Sequence, residues 1–146
     1  MIKEFQRGHR WLSNFWLCSI EYEGKIYYSV EHAYQAAKFS GLPVIQEEIR
    51  NSETPGEAKR LGKKYKNLQR TDWEQVNLRV MEDLVRQKFT KFPVLKKILL
   101  ETGSEHIQEG NWWNDDFFGV NLRTGKGLNH LGKIIMKVRD EIKKEE

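Results

Sequence analysis

The sequence predicts an α+β fold: a single, mostly helical domain over residues 1–146, with a small antiparallel β-sheet from the N-terminal segment. Three observations predict it. Extended runs of aromatic and β-branched residues cluster in the first thirty positions. After them, apolar residues recur at helical spacing. A chain of 146 residues suits one domain, whereas two halves would each be short of a core.

Within residues 15–30, which read as extended, Ile20-Glu21-Tyr22 and Ile26-Tyr27-Tyr28 are the arms of a hairpin, with Glu23-Gly24 as its turn. Ser29 stands at an N-cap position, and Glu31 to Phe39 follows as a helix. Ala33, Ala36 and Ala37 favour that helix, and Glu31 in its first turn suits the dipole. Gly41 and Pro43 end it. A short helix is expected over 44–51. Thr54-Pro55-Gly56-Glu57 reads as the start of the next, with Thr54 as cap, Pro55 in the first position and Glu57 three after the cap. Asp72 opens a longer helix with the stripe Trp73, Val76, Val80 and Leu84, and with Met81, Val85 and Phe89 alongside. Phe92-Pro93 begins another, whose Val94, Leu95, Ile98 and Leu99 are expected to face inward. Residues 102–127 hold five glycines, several Asn and Asp, and four large aromatics, and read as one long loop. Loops of that length are functional or disordered, and the aromatics argue against disorder. The last helix is expected from about Leu128, burying Leu131, Ile135, Val138 and Ile142.

Composition narrows the function classes. A hydrophobic fraction of 38% with 12% aromatics excludes a disordered chain. No apolar run approaches the ~20 residues of a membrane-spanning helix. Met1-Ile2-Lys3-Glu4-Phe5 lacks the apolar segment of a signal peptide, and the lone Cys18 precludes an internal disulfide, so a reduced, cytoplasmic setting is expected. The net charge is +4, and residues 57–70 carry Lys59, Arg60, Lys63, Lys64, Lys66 and Arg70 against Glu57 alone. That stretch is either a solvated helix face or a contact for nucleic acid.

Several chemistries lack their residues. The histidines at 9, 32, 106 and 130 form no helical pair and one cysteine builds no thiolate site, so neither a metal nor a cofactor is expected. There is no G-x-S-x-G elbow. Gly119…Gly125-Lys126-Gly127 approaches a P-loop, but the spacing is one too long and Gly127 replaces Ser or Thr. It is either an ordinary glycine loop or a place where backbone N–H groups and Lys126 meet a phosphate at a helix start. Glu31, Tyr34, Gln35 and Lys38 share one helix face. That face is either solvated or a reactive surface holding an acid and a base. Leu12-Ser13-Asn14-Phe15 and Asn111 to Gly119 embed small polar residues among aromatics. Such clusters suit a pocket that stacks a ring and hydrogen-bonds its edge, or an aromatic core with turn residues.

Taken together, the segments Gly8 to Phe15, Tyr28-Ser29-Val30-Glu31-His32-Ala33-Tyr34-Gln35-Ala36-Ala37-Lys38-Phe39, Glu109 to Gly119 and Gly125 to Arg139 resemble the NADAR (YbiA-like) family, in order and spacing, from about Phe5 to Arg139. Asp72-Trp73 also looks like the start of that family's central helix. The resemblance implies an N-glycosidase that cleaves a bond between ribose C1 and nitrogen. One branch removes ADP-ribose from guanine in nucleic acid or nucleoside, which is the leading expectation here. Another hydrolyses phosphorylated riboflavin-pathway intermediates. A non-catalytic ADP-ribose or nucleotide reader is the alternative from a different class.

The resemblance also points to Lys38 as the covalent catalyst, since a lysine desolvated among aromatics can act as an amine nucleophile and form a Schiff base with an opened ribose. Glu31 and Asp115 are the candidate carboxylates. Asn14 and Gln35 would fix ribose hydroxyls, Trp73, Trp112 and Trp113 would stack on a base, and Arg10 and Lys126 would meet phosphate. Ser13, Phe15, Tyr34, Phe118, Gly119 and Asn129 complete the expected substrate contacts. Three positions depart from the family pattern: Phe118 stands where Trp is usual, Leu128 where Asn often follows the glycine, and Asn114 where His commonly precedes the loop Asp.

Overall fold

A computed structural model describes residues 1–146. Contacts divide the chain into two compact units, residues 14–84 and residues 1–13 with 85–146. The strands, in chain order, are β1 (Ile2–Glu4), β2 (Ile20–Tyr22), β3 (Lys25–Tyr27), β4 (Ile107–Asn111) and β5 (Val120–Asn121). The helices are α1 (Val30–Ala37), α2 (Pro43–Arg50), α3 (Pro55–Lys64), α4 (Trp73–Lys91), α5 (Pro93–Glu101) and α6 (His130–Glu145). No helix is long and apolar enough to cross a membrane.

In the unit of residues 14–84, β2 and β3 form the expected antiparallel hairpin, pairing Ile20 with Tyr27 and Tyr22 with Lys25. Its turn uses Glu23 and Gly24, both at positive φ (48° and 81°), the pairing that a tight hairpin turn needs. Ser29 caps α1 and Thr54 caps α3, each accepting from the backbone N–H three residues on. Both α2 and α3 start on proline, as does α5 of the other unit. α1 packs against α2, α3 and the hairpin, and all eight of its residues are buried.

In the other unit, β1, β4 and β5 make a three-stranded parallel sheet in the order β1-β4-β5. This sheet departs from the sequence reading, in which 102–127 is one long loop. Its central strand reads Ile-Gln-Glu-Gly-Asn and holds a single β-branched residue, so local propensity carries no signal there. Pairing with β1, more than a hundred residues away, decides it, since Ile2 aligns with Ile107. Two smaller differences follow from packing. Val94 is 73% exposed instead of facing inward, while Leu95 and Leu99 are buried. α6 begins at His130 rather than Leu128, and its stripe of Leu131, Ile135, Val138 and Ile142 is buried as expected. Arg86 on α4 forks onto Glu141 of α6 at 2.9 and 3.1 Å, and Trp11 meets Phe89 edge to face.

The start of α6 does not present a phosphate cradle. The N–H groups of Leu128, Asn129, His130 and Leu131 donate to the carbonyls of Asp116, Gly119, Phe117 and Phe118, respectively. The N–H groups of residues 128–131 are therefore already used by the chain's own loop. Lys126 sits exposed in the preceding turn, where its carbonyl accepts from the N–H of Asn121.

Asn129 joins this helix to the sheet. It holds a left-handed backbone (φ 53°), accepts from the N–H of Glu109 at 3.0 Å, and donates to the carbonyl of Ile107 at 3.0 Å. Asn129→Ala would leave two β4 backbone groups without those partners and place Ala in the left-handed region. We expect a loss of about 2–4 kcal/mol in urea unfolding.

Candidate active site

α1 concentrates polar chemistry where water is scarce. Ser29 opens it by accepting from the N–H of His32 at 3.0 Å, and the carbonyl of Asn14 accepts from the N–H of Glu31 at 3.1 Å. Two of the orphan donors at the helix start are satisfied in this way. The alanines at 33, 36 and 37 have no exposed surface and let neighbouring elements close in. The polar residues between them are enclosed as a result. Glu31 is 8% exposed, Tyr34 6% and Gln35 4%, which excludes the solvated-face reading.

Each enclosed group has a local arrangement. Gln35 donates through Nε2 to Glu31 Oε2 at 2.6 Å, one helical turn away. The Tyr34 ring lies 5.0 Å from that of Trp73, and Lys38 Nζ lies 5.6 Å from the Tyr34 centroid. Burial pushes the pKa of the Lys38 ammonium below its ordinary value. The Glu31 carboxylate raises it in part, and the charges of Lys59 and Lys66 lower it further. The carbonyl of Lys38 accepts from the N–H of Arg70, whose guanidinium forks onto Asp72 at 2.6 and 3.0 Å. The C-terminal end of α1 is thereby anchored to the segment that leads into α4.

His32 is part of the same enclosure, though it is not among the expected site residues. It is 1% exposed, with Nδ1 at 2.7 Å from Ser29 Oγ and Nε2 at 3.1 Å from the Ser52 carbonyl. A carbonyl only accepts, so Nε2 carries the proton and Nδ1 takes the Ser29 hydroxyl proton. Burial lowers its pKa, so the imidazole is held neutral. Gly62 on α3 is a second residue that the sequence reading does not single out. A glycine inside a helix costs about 1 kcal/mol relative to Ala, which is the signal that marks such a position.

Of the predicted site residues, Asn14, Phe15, Glu31, Tyr34, Gln35, Lys38 and Trp73 belong to the unit of residues 14–84. Asn14 is buried, with its side-chain amide 3.4 Å from Met81 Sδ. Trp73 packs on Tyr34 and is 6% exposed, so it does not stand open as a stacking platform. Phe15 is exposed.

The remaining predicted residues belong to the other unit. Arg10 is exposed in a 3-10 turn over Arg7–Leu12, and the carbonyl of Ser13 that ends it accepts from the buried Lys88 Nζ at 2.8 Å. Trp112 and Trp113 are exposed. The Asp115 carboxylate accepts from the N–H groups of Phe117 and Phe118 through Oδ1, and so shapes the turn that carries them. Asn111 holds both the N–H and the carbonyl of Asp115. Phe118 packs edge to face on Phe117, and the buried Gly119 lies against the Glu109 carbonyl. Asn129 spends its amide on β4 as described.

Comparison with known proteins gives matches along nearly the whole chain. The model of the NADAR domain family matches residues 2–143. The N-glycosidase Npun_R5314 of Nostoc punctiforme is 38% identical over 133 residues, covering 90% of this chain and 84% of that protein. The riboflavin biosynthesis protein VVA0006 of Vibrio vulnificus is 37% identical over 139 residues, covering 95% of this chain, which spans only 37% of that protein's length. Among solved structures, the NMR structure of Escherichia coli YbiA superposes with a TM-score of 0.85 at 31% identity, covering 99% of this chain and 88% of that one.

The neutral His32 has a consequence for stability. Its folded pKa lies below the ordinary 6.5, so the unfolded chain binds more protons as pH falls. The contribution is fully present above about pH 6.5 and is lost as pH drops through the folded value. Unfolding free energy in urea is expected to fall between about pH 7 and about pH 5, with a shallower fall in His32→Gln; equal slopes would contradict this origin.

Proposed function

The chain belongs to the NADAR family, and on that premise we propose that it is an N-glycosidase that hydrolyses a ribosyl C1–nitrogen bond, with Lys38 as nucleophile and Glu31 as its proton partner. The observation that carries this reading is the enclosure of Glu31 within α1, with the half-buried Lys38 at that helix's C-terminal cap pushed toward its neutral amine. A binding module that only recognised ADP-ribose would have no use for a lysine held in that state.

In the proposed reaction the Lys38 amine attacks C1 of a ring-opened ribosyl substrate. The C1–Nζ bond forms as the π bond of the protonated C1=N imine to the base breaks and its electron pair settles on the base nitrogen, and the amine proton passes to Glu31. The C1–base bond then breaks, the leaving nitrogen takes that proton, and C1 remains as a Schiff base on Lys38. Water adds to C1, the C1–Nζ bond breaks, and the free sugar closes again. Gln35 holds the carboxylate in place through its 2.6 Å hydrogen bond.

For the substrate, we favour a phosphorylated ribosyl aminopyrimidine of riboflavin synthesis, in keeping with the name of the Vibrio relative. ADP-ribosylated guanine, the leading expectation from the sequence, is the second reading. It is supported by the exposed cations Lys59, Arg60, Lys63, Lys64 and Lys66, which suit a nucleic-acid carrier.

The test is a product assay that offers the aminopyrimidine ribosyl phosphate, ADP-ribosylguanosine, ADP-ribosylated DNA and NAD side by side. Lys38→Ala and Glu31→Gln are expected to lose at least about 100-fold in turnover while keeping the wild-type circular dichroism spectrum. Borohydride added during turnover should leave a sugar-mass adduct on Lys38, and wild-type turnover in both variants would reject the mechanism.

The charge pattern gives a separate expectation. Because Lys59 and Lys66 lower the Lys38 pKa, the paired change Lys59→Gln with Lys66→Gln should move the rise of kcat with pH to higher pH. An unmoved profile would remove Lys38 as the group that titrates.

A further inference from the structure

We propose that Gly62 is a positioning residue for the Glu31 carboxylate, acting through Gln35. The inference rests on the reading of Glu31 given above.

The Gln35 amide has one orientation open to it. A carboxylate only accepts, so the amide must turn Nε2 toward Glu31, where it donates at 2.6 Å. Oε1 then faces the opposite way. It is buried and accepts no conventional hydrogen bond. What it meets is Gly62 of α3. A Cβ built on Gly62 would stand 1.9 Å from Oε1 and 2.8 Å from Cδ of Gln35. Any side chain there is therefore incompatible with the amide in its present position. Glycine instead carries only an α-hydrogen in that direction, which leaves the oxygen its place.

Gln35 is thus held between two helices. Glu31, on its own helix, fixes one end of the amide, and the bare backbone of α3 leaves room for the other. Flipping is not open to it. A flip would set its oxygen against the carboxylate. Gly62 lies away from the reacting groups and acts on Glu31 only through this intermediate, so its effect is on orientation. Alanine at this position must push the amide aside, and the carboxylate loses the donor that sets its direction. Misplacement of a reacting group by about 1 Å can cost about 100-fold in rate.

The test is a cycle of Gly62→Ala, Gln35→Ala and the double variant, read three ways. On the substrate that the product assay identifies, Gly62→Ala should lower kcat by about 10- to 100-fold with KM within about threefold. The double variant should match Gln35→Ala, because truncation of Gln35 vacates the space that the new methyl fills. Urea unfolding follows the same pattern without substrate: Gly62→Ala destabilises wild type but not the Gln35→Ala background. By NMR, the Gln35 side-chain NH2 pair, shifted by the carboxylate in the parent, should return toward solvated glutamine positions in Gly62→Ala. Effects on kcat that multiply in the double variant, or an unmoved Gln35 resonance, would overturn the proposal. If Gly62→Ala alone does not fold, the comparison is made within the Gln35→Ala background. There the added Gly62→Ala change must leave kcat unaltered and the fold no less stable, and a further fall in either overturns it. Should Glu31→Gln keep full turnover, the catalytic reading fails, while the unfolding and NMR arms still report on the Gly62–Gln35 contact.

Discussion

The burial of α1 on every side is the constraint from which the rest of the candidate site follows. A helix with Glu31, His32 and Gln35, and with Lys38 at its end, would ordinarily lie at the surface with its charges in water. Here alanine at 33, 36 and 37 permits close approach by α2, α3 and the β2–β3 hairpin, and the polar groups are enclosed with them. Enclosure carries a desolvation cost for each group that lacks a partner. The Glu31–Gln35 pair and the Ser29–His32–Ser52 chain meet that cost with hydrogen bonds. Lys38, less fully enclosed, meets it by a lowered pKa, which is also what an amine nucleophile requires.

The same constraint assigns meaning to residues with no chemistry of their own. Gly62 looks like a defect in α3 when the helix is considered alone. Against α1 it is the one residue type that leaves the Gln35 amide in place. Lys59, about one turn before Gly62 on α3, and Lys66, just beyond the end of that helix, contribute charge that bears on Lys38. The basic stretch therefore has an electrostatic effect on the lysine as well as any affinity for phosphate.

In the other unit, polar residues that resemble ligand contacts have architectural roles. Asn111 and Asp115 direct their side chains to backbone groups of residues 109–118, and Asn129 directs its own to β4. The carbonyls of residues 116–119 in turn cap α6. These side chains hold that loop in one shape, and they leave Trp112 and Trp113 outward.

The local signals of the sequence were sufficient for the β2–β3 turn at Glu23-Gly24, the caps at Ser29 and Thr54, the proline starts of α3 and α5, and the buried stripe of α6. In each case the information lies within four residues or in one helical period, and so does the physics. The shared face of Glu31, Gln35 and Lys38 was legible for the same reason, as was the family resemblance carried by that run. Whether that face was wet or dry was not, because burial depends on what packs against it. The parallel sheet was also out of reach: Ile107 pairs with Ile2 across the length of the chain, and a strand of Gln, Glu, Gly and Asn shows no periodicity. Nor could spacing separate a ligand-binding amide from a structural one at Asn111 and Asn129. That distinction rests on which backbone group lies about 3 Å away, a distance set only when the chain has folded.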